Sequence, residues 1–164
     1  MRIIGIDPGV SITGFAIMDF NNNKINLVKF GVIKASNKNF PEKIKEINMK
    51  IERIIQKYKP REAGIEKIFF YNNKKTAMEV AQVRGSIILT LIKNKIKIFD
   101  YTPLQVKQSI TGYGNASKTQ VQNMIKILLK LKETPKPDDA ADAIALCMCH
   151  LNSLKFNNII NANL

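Results

Sequence analysis

The sequence predicts an α/β fold: a five-stranded mixed sheet, a three-strand antiparallel meander plus two parallel strands, with helices on both faces. Three observations carry this. Three short strand patterns joined by turns lie between Arg2 and Ala35, the first a short apolar run and the last alternating apolar and polar residues. At Ile44 the period changes to that of a helix. Strand and helix patterns then alternate, as they do when parallel strands are joined by helical crossovers.

The elements follow in order. Arg2 to Ile6 is a short apolar strand running into the turn Asp7-Pro8-Gly9. Thr13 to Phe20 is the second strand, closed by Asn21-Asn22-Asn23, and Ile25 to Ala35 the third. Ile44, Ile47, Ile51, Ile54, Ile55 and Tyr58 share one helical face, with Pro41 in the first turn and Lys59-Pro60 as the stop. Ala63 to Phe69 is a fourth strand interrupted by Glu66, Thr76 to Ile92 a second helix, and Lys95 to Tyr101 a fifth strand. Helices are then predicted over Pro103 to Ile110, Lys118 to Leu131, and Asp138 to about Leu151. Residues 1–155 are expected to form one domain and 156–164 a frayed tail. A right-handed crossover from the third strand would set the fourth beside the first, making Asp7 and Glu66 neighbours.

Composition narrows the function. With 45% hydrophobic and 24% charged residues the chain is ordinary for a soluble globular protein, and no stretch approaches a membrane span. The opening residues run straight into a strand with an acidic end, unlike a signal peptide. Cys147 and Cys149 lie too close on a helix for an ordinary disulfide, and a reducing, cytoplasmic setting is expected. The 26 Lys and Arg against 13 Asp and Glu give a formal charge of +13. Between Lys67 and Lys132 twelve residues are basic and two, Glu79 and Asp100, acidic. Such a face attracts a polyanion, of which nucleic acid is the commonest.

Against that background the placing of four carboxylates stands out. Asp7 ends an apolar strand, Glu66 interrupts one, and Asp139 and Asp142 open the last helix. The i, i+3 spacing sets Asp139 and Asp142 on one face, while Asp138 lies to the side as a helix cap. Ala140, Ala141, Ala143 and Ala145 are small enough to let that helix lie close on the sheet and carry its acids to the ends of strands one and four. Singly these are a turn, an edge-strand charge and helix-dipole charges. Together they are mutually repelling carboxylates that call for cations. An all-oxygen set suits magnesium or manganese, and two such ions about 4 Å apart can drive phosphodiester hydrolysis.

At these residues the sequence resembles a known family. The series runs Gly5-Ile6-Asp7-Pro8-Gly9, Thr13-Gly14, Ile65-Glu66, Phe69, Gln82-Val83-Arg84-Gly85 and Gln105-Val106-Lys107-Gln108. It continues through Gly112-Tyr113-Gly114, Ser117-Lys118-Thr119-Gln120-Val121-Gln122 and Asp139-Ala140-Ala141-Asp142-Ala143. In this order and spacing it resembles the RuvC family of Holliday junction resolvases, on the ribonuclease H-like fold. The resemblance implies that Asp7, Glu66, Asp139 and Asp142 are catalytic and bind magnesium, two ions per site, with manganese able to substitute. It implies that Phe69 meets bases near the strand-exchange point and that Lys107 and Lys118 lie near the scissile phosphate. It also implies a homodimer with the second helix at its interface, a four-way DNA junction as substrate, and joint action with the RuvA–RuvB branch-migration complex.

Other signals fit less well. Residues 112–119 come within one residue of a phosphate-binding nucleotide loop but lack the glycine before Lys118, and a helix precedes them. The glycines are expected instead to turn the backbone while Lys118 reaches a DNA phosphate. Cys147-Met148-Cys149-His150 diverges around a helix and predicts buried thiols with a partly exposed His150, near the site but not catalytic. An actin-like or sugar-kinase-like ATPase shares the Gly-Ile-Asp opening but needs two domains around its nucleotide, where 164 residues supply one. A non-catalytic scaffold for branched DNA explains the charge but not the four carboxylates.

Overall fold

The computed structural model of the chain describes the backbone of residues 1–21, 24–68 and 74–162, and their side chains apart from 74–76 and 156–162. Five strands, β1 (Arg2–Asp7), β2 (Ile12–Asn21), β3 (Lys24–Lys34), β4 (Glu62–Glu66) and β5 (Lys97–Tyr101), form one sheet in the order β3-β2-β1-β4-β5. The helices are α1 (Phe40–Tyr58), α2 (Lys74–Lys93), α3 (Pro103–Thr111), α4 (Lys118–Leu128) and α5 (Asp138–Ala162). The first three strands pair antiparallel, while β4 pairs parallel with both β1 and β5. The predicted mixed sheet and the placing of the fourth strand beside the first are both observed.

Strand alternation divides the interior into two cores. Ile4 and Ile6 of β1, Phe15 and Ile17 of β2, and Ala63 and Ile65 of β4 pack with α1 and α2, whose Ile47, Ile51, Ile55, Val83, Ile87 and Leu91 are buried. Ile3, Ala16 and Met18 face the opposite way, onto α5 and the α3–α4 pair that lies over it. The remaining odd and even positions follow: Gly5 and Asp7, Gly14, and Glu62, Gly64 and Glu66 lie on the α5 face. Helix α5 is therefore buried nearly all round from Ala140 to Leu151, which explains its run of small and apolar residues.

The differences from the sequence reading lie at element ends. Strand β4 stops at Glu66, not Phe69, because its partner β5 ends at Tyr101; the Lys67 N–H makes the last bond, to the Tyr101 carbonyl. Helix α4 ends at Leu128 instead of Leu131, as Lys130 takes a left-handed conformation at φ 52°. Helix α5 continues to Ala162, beyond the stop near Leu151 that was expected; no Pro or Gly interrupts residues 152–162.

Candidate active site

Gly5-Ile6-Asp7 and Gly64-Ile65-Glu66 are the same three-residue device on adjacent strands. Ile6 pairs with Ile65 in parallel register, so Asp7 and Glu66 emerge side by side at the strand ends, on the α5 face. The glycines lower that face so the helix can approach. A Cβ on Gly14 would overlap the Asp139 carbonyl oxygen, and one on Gly5 the Ala143 carbonyl oxygen. The helix backbone thus rests on the sheet, and its first turn delivers Asp139 and Asp142 to Asp7 and Glu66. Below the site the turn after Asp7 is clamped by Thr13, whose buried hydroxyl donates to the Gly9 carbonyl at 2.9 Å. The sequence argument found the carboxylates but not this glycine device; the repeated Gly-Ile-acid tripeptide is its signal.

The electrostatics follow from the crowding. Burial, then the charges of Glu66, Asp142 and Asp139, push the Asp7 carboxyl up to about 8. Glu66 is also raised, by burial and by Asp142, against a hydrogen bond with Asp7 and the charge of Lys118. Burial raises Asp142 as well, opposed by Lys118. The Lys118 ammonium sits 3.0 Å from Asp142 and 3.4 Å from Asp138. Burial works against its charge, but the bonds to those two carboxylates prevail and its pKa rises. Positive charge is thus in demand here, and one lysine does not satisfy it. Among the described residues no three acidic, His or Cys side chains yet close into a cage for a cation.

Helices α3 and α4 shape the approach. Each begins with a reciprocal capping box, Thr102 with Gln105 and Ser117 with Gln120, which fixes where the following lysines stand. Lys107 and Lys118 line one open cavity of about 250 Å³ with Glu66, Asp142 and an apolar wall that includes Pro103, Val106 and Val121. The predicted Lys107 and Lys118 are therefore brought together with the acids; Phe69 lies outside the described residues. Asp138 is not the cap that the sequence suggested: its carboxylate accepts from Gln122 at 3.0 Å and faces Lys118, tying α4 to α5. His150 is a further correction. It is fully buried, bonded to the Tyr101 hydroxyl at 2.7 Å and to Glu62 at 2.8 Å, near the other end of β4 from the acidic cluster. The two cysteines are buried free thiols, as expected.

A mixed sheet in this strand order, with acidic side chains gathered where its two central parallel strands end, defines the ribonuclease H-like class. The family model for crossover junction endodeoxyribonuclease RuvC matches residues 3–150. The chain is 45% identical to the Finegoldia magna protein of that name, over 95% of this chain and 96% of that one. It is 48% identical to the Fusobacterium nucleatum protein of the same name, over 94% of this chain and 82% of that one. Its fold matches Thermus thermophilus RuvC in complex with Holliday junction substrate, with a TM-score of 0.89, 28% identity and 96% of each chain covered. The chain belongs to the RuvC family of crossover junction endodeoxyribonucleases.

Proposed function

We propose that this chain resolves Holliday junctions by paired, metal-dependent hydrolysis of DNA phosphodiesters, acting as a homodimer. Family membership together with the four carboxylates at the strand ends carries the reading. The residues fit a pair of hard divalent cations: the donors are all oxygens, and burial together with their mutual repulsion pushes the Asp7 carboxyl up to about 8 in the metal-free protein. Asp7, Glu66, Asp139 and Asp142 would hold the ions, with Asp7 central because it feels the other three. When bound, magnesium or manganese supplies the charge that activates water and stabilises the leaving oxygen. Lys118 screens Asp142 in the free protein and is placed to move onto the scissile phosphate, with Lys107 on the same cavity wall. Hydrolysis in line would leave 5′-phosphate and 3′-hydroxyl ends. Phe69, three residues beyond Glu66 in the sequence, is proposed to meet bases at the crossover.

A two-fold dimer suits a nearly two-fold junction, because two equal sites make two symmetric nicks. Helix α2 supports this: Met78, Gln82, Gly85, Leu89 and Ile92 form an outward stripe at alternating spacings of four and three, with Met78 60%, Leu89 52% and Ile92 59% exposed. Among the described residues no helix is long and apolar enough to cross a membrane. We place action in the cytoplasm, alongside the RuvA–RuvB complex, on the family resemblance.

Cleavage of a labelled four-way junction beside linear duplex of the same sequences, with magnesium or with EDTA, tests the reading. Paired nicks in the junction alone, only with metal, are expected. Equal cutting of both substrates would remove junction selectivity, and tight binding without cleavage would return the protein to a scaffold.

A further inference from the structure

Beside the two lysines the chain presents an exposed apolar ledge that the catalytic reading leaves unused. Leu104 is 55% exposed and Tyr113 60% exposed, so each presents much of a large side chain to solvent. Leu104 and Lys107 lie three apart on α3 and so share a face, and Lys107 lines the catalytic cavity. Leu104 also packs under the loop that holds Tyr113: a Cβ on Gly114 would stand 3.1 Å from its side chain.

That loop is rigidly built. The Gly112 N–H donates to the Gln108 carbonyl, closing α3. The Thr111 hydroxyl accepts from the Tyr113 N–H at 3.1 Å, and its single proton faces the Lys107 carbonyl at 2.9 Å and the Tyr113 carbonyl at 3.0 Å. The buried Ala116 N–H donates to the same carbonyl, and Ser117 then caps α4, whose first residue is Lys118. A single turn of chain thus sets an outward aromatic between two lysines that face one cavity. Ordering of this kind costs entropy and fixes the backbone that carries the ring, whose surface stays wet and open to stacking.

We propose that Tyr113, backed by Leu104, is a DNA-positioning residue, on which a base next to the scissile phosphate stacks while Lys107 and Lys118 hold the phosphates on either side. This rests on the reading of the cavity as the cleavage site. A phosphodiester drawn to the lysines brings its own nucleotide to the ledge, and an aromatic face accepts any base that the crossover leaves unstacked. The ledge therefore favours branched over continuous duplex DNA, whose bases are already stacked.

The test compares Tyr113→Ala, Tyr113→Phe and Tyr113→Trp with the unaltered protein, each shown to be folded by its melting curve. Junction affinity is measured across salt concentrations in calcium, and cleavage in magnesium. Loss of one stacked base corresponds to an affinity drop of about 5- to 150-fold for Tyr113→Ala. Tyr113→Phe and Tyr113→Trp are expected to bind as the unaltered protein does, and the salt dependence of Tyr113→Ala to be unchanged. With 2-aminopurine beside the cut site, fluorescence is quenched on binding by the unaltered protein and less so by Tyr113→Ala. Unchanged affinity and quenching in Tyr113→Ala would overturn the proposal. So would equal loss in Tyr113→Phe, which would point to the hydroxyl instead. If the unaltered protein cuts no junction at all, the site reading fails; if it cuts and Tyr113→Ala does too with full affinity, only the ledge fails.

Discussion

Strand β4 carries two glutamates on one face, and their surroundings are opposites. Glu62, at its start, meets His150 at 2.8 Å, and the second ring nitrogen of His150 meets the Tyr101 hydroxyl at 2.7 Å. Both ring nitrogens of His150 thus have partners within the fold. Glu66, at the end of the strand, is raised by burial and by Asp142, beside an Asp7 raised further still. Both acids are secured by the same strand, sheet and helix, so packing does not distinguish them. Charge balance does: one end of the sheet is complete in itself, and the other is left short of positive charge. Function is read from the imbalance.

The comparison breaks most sharply if acids at the two ends respond alike to substitution. Asp7→Asn is expected to lower the single-turnover cleavage rate at least about a hundredfold, more than loss of a metal's outer-shell partner costs, while junction binding is kept or strengthened. Glu66→Gln and Asp142→Asn should follow it, and activity surviving in both would end the assignment. At the other end, His150→Ala is expected to cost about 1–3 kcal/mol in urea unfolding by stripping Glu62 and Tyr101 of their partner. Cleavage by that variant, well below its melting temperature, should be little changed.

The two ends also oppose each other in pH. Burial lowers the His150 pKa, against Glu62, so its share of stability is present above the unfolded value of 6.5 and is lost as pH falls. Asp7 has the reverse sign: its folded pKa of about 8 lies above the ordinary 3.8, so metal-free stability declines as pH rises between those values. In EDTA at pH 8, Asp7→Asn is therefore expected to be more stable than the unaltered protein. Unfolding curves at pH 5 and pH 8 check both signs. The smallest effect sharpens the basic side of the site: Lys107→Ala should reduce the log–log salt slope of junction binding by about one, uniformly across sequences.

Much of this was legible in the sequence, because it rests on short-range rules. The period of two sends Asp7 and Glu66 to one face, and right-handed crossover sets their strands side by side. The alanines after Asp139 announce a helix lying close on a sheet. What could not be read depends on partners far along the chain. The burial of His150 is decided by Tyr101 and Glu62, 49 and 88 residues away, and no local pattern names them. The end of β4 is set by where β5 stops, and Asp138 turns from capping because Gln122 and Lys118 reach it from α4.

Cation binding separates the two ends of β4 most directly. Manganese is titrated by calorimetry into the unaltered protein, Asp7→Asn and Glu62→Gln, with no DNA present. The account predicts that Glu62→Gln binds manganese as the unaltered protein does and that Asp7→Asn loses most of the affinity. Equal manganese binding by Asp7→Asn, or an equal loss in Glu62→Gln, would contradict it.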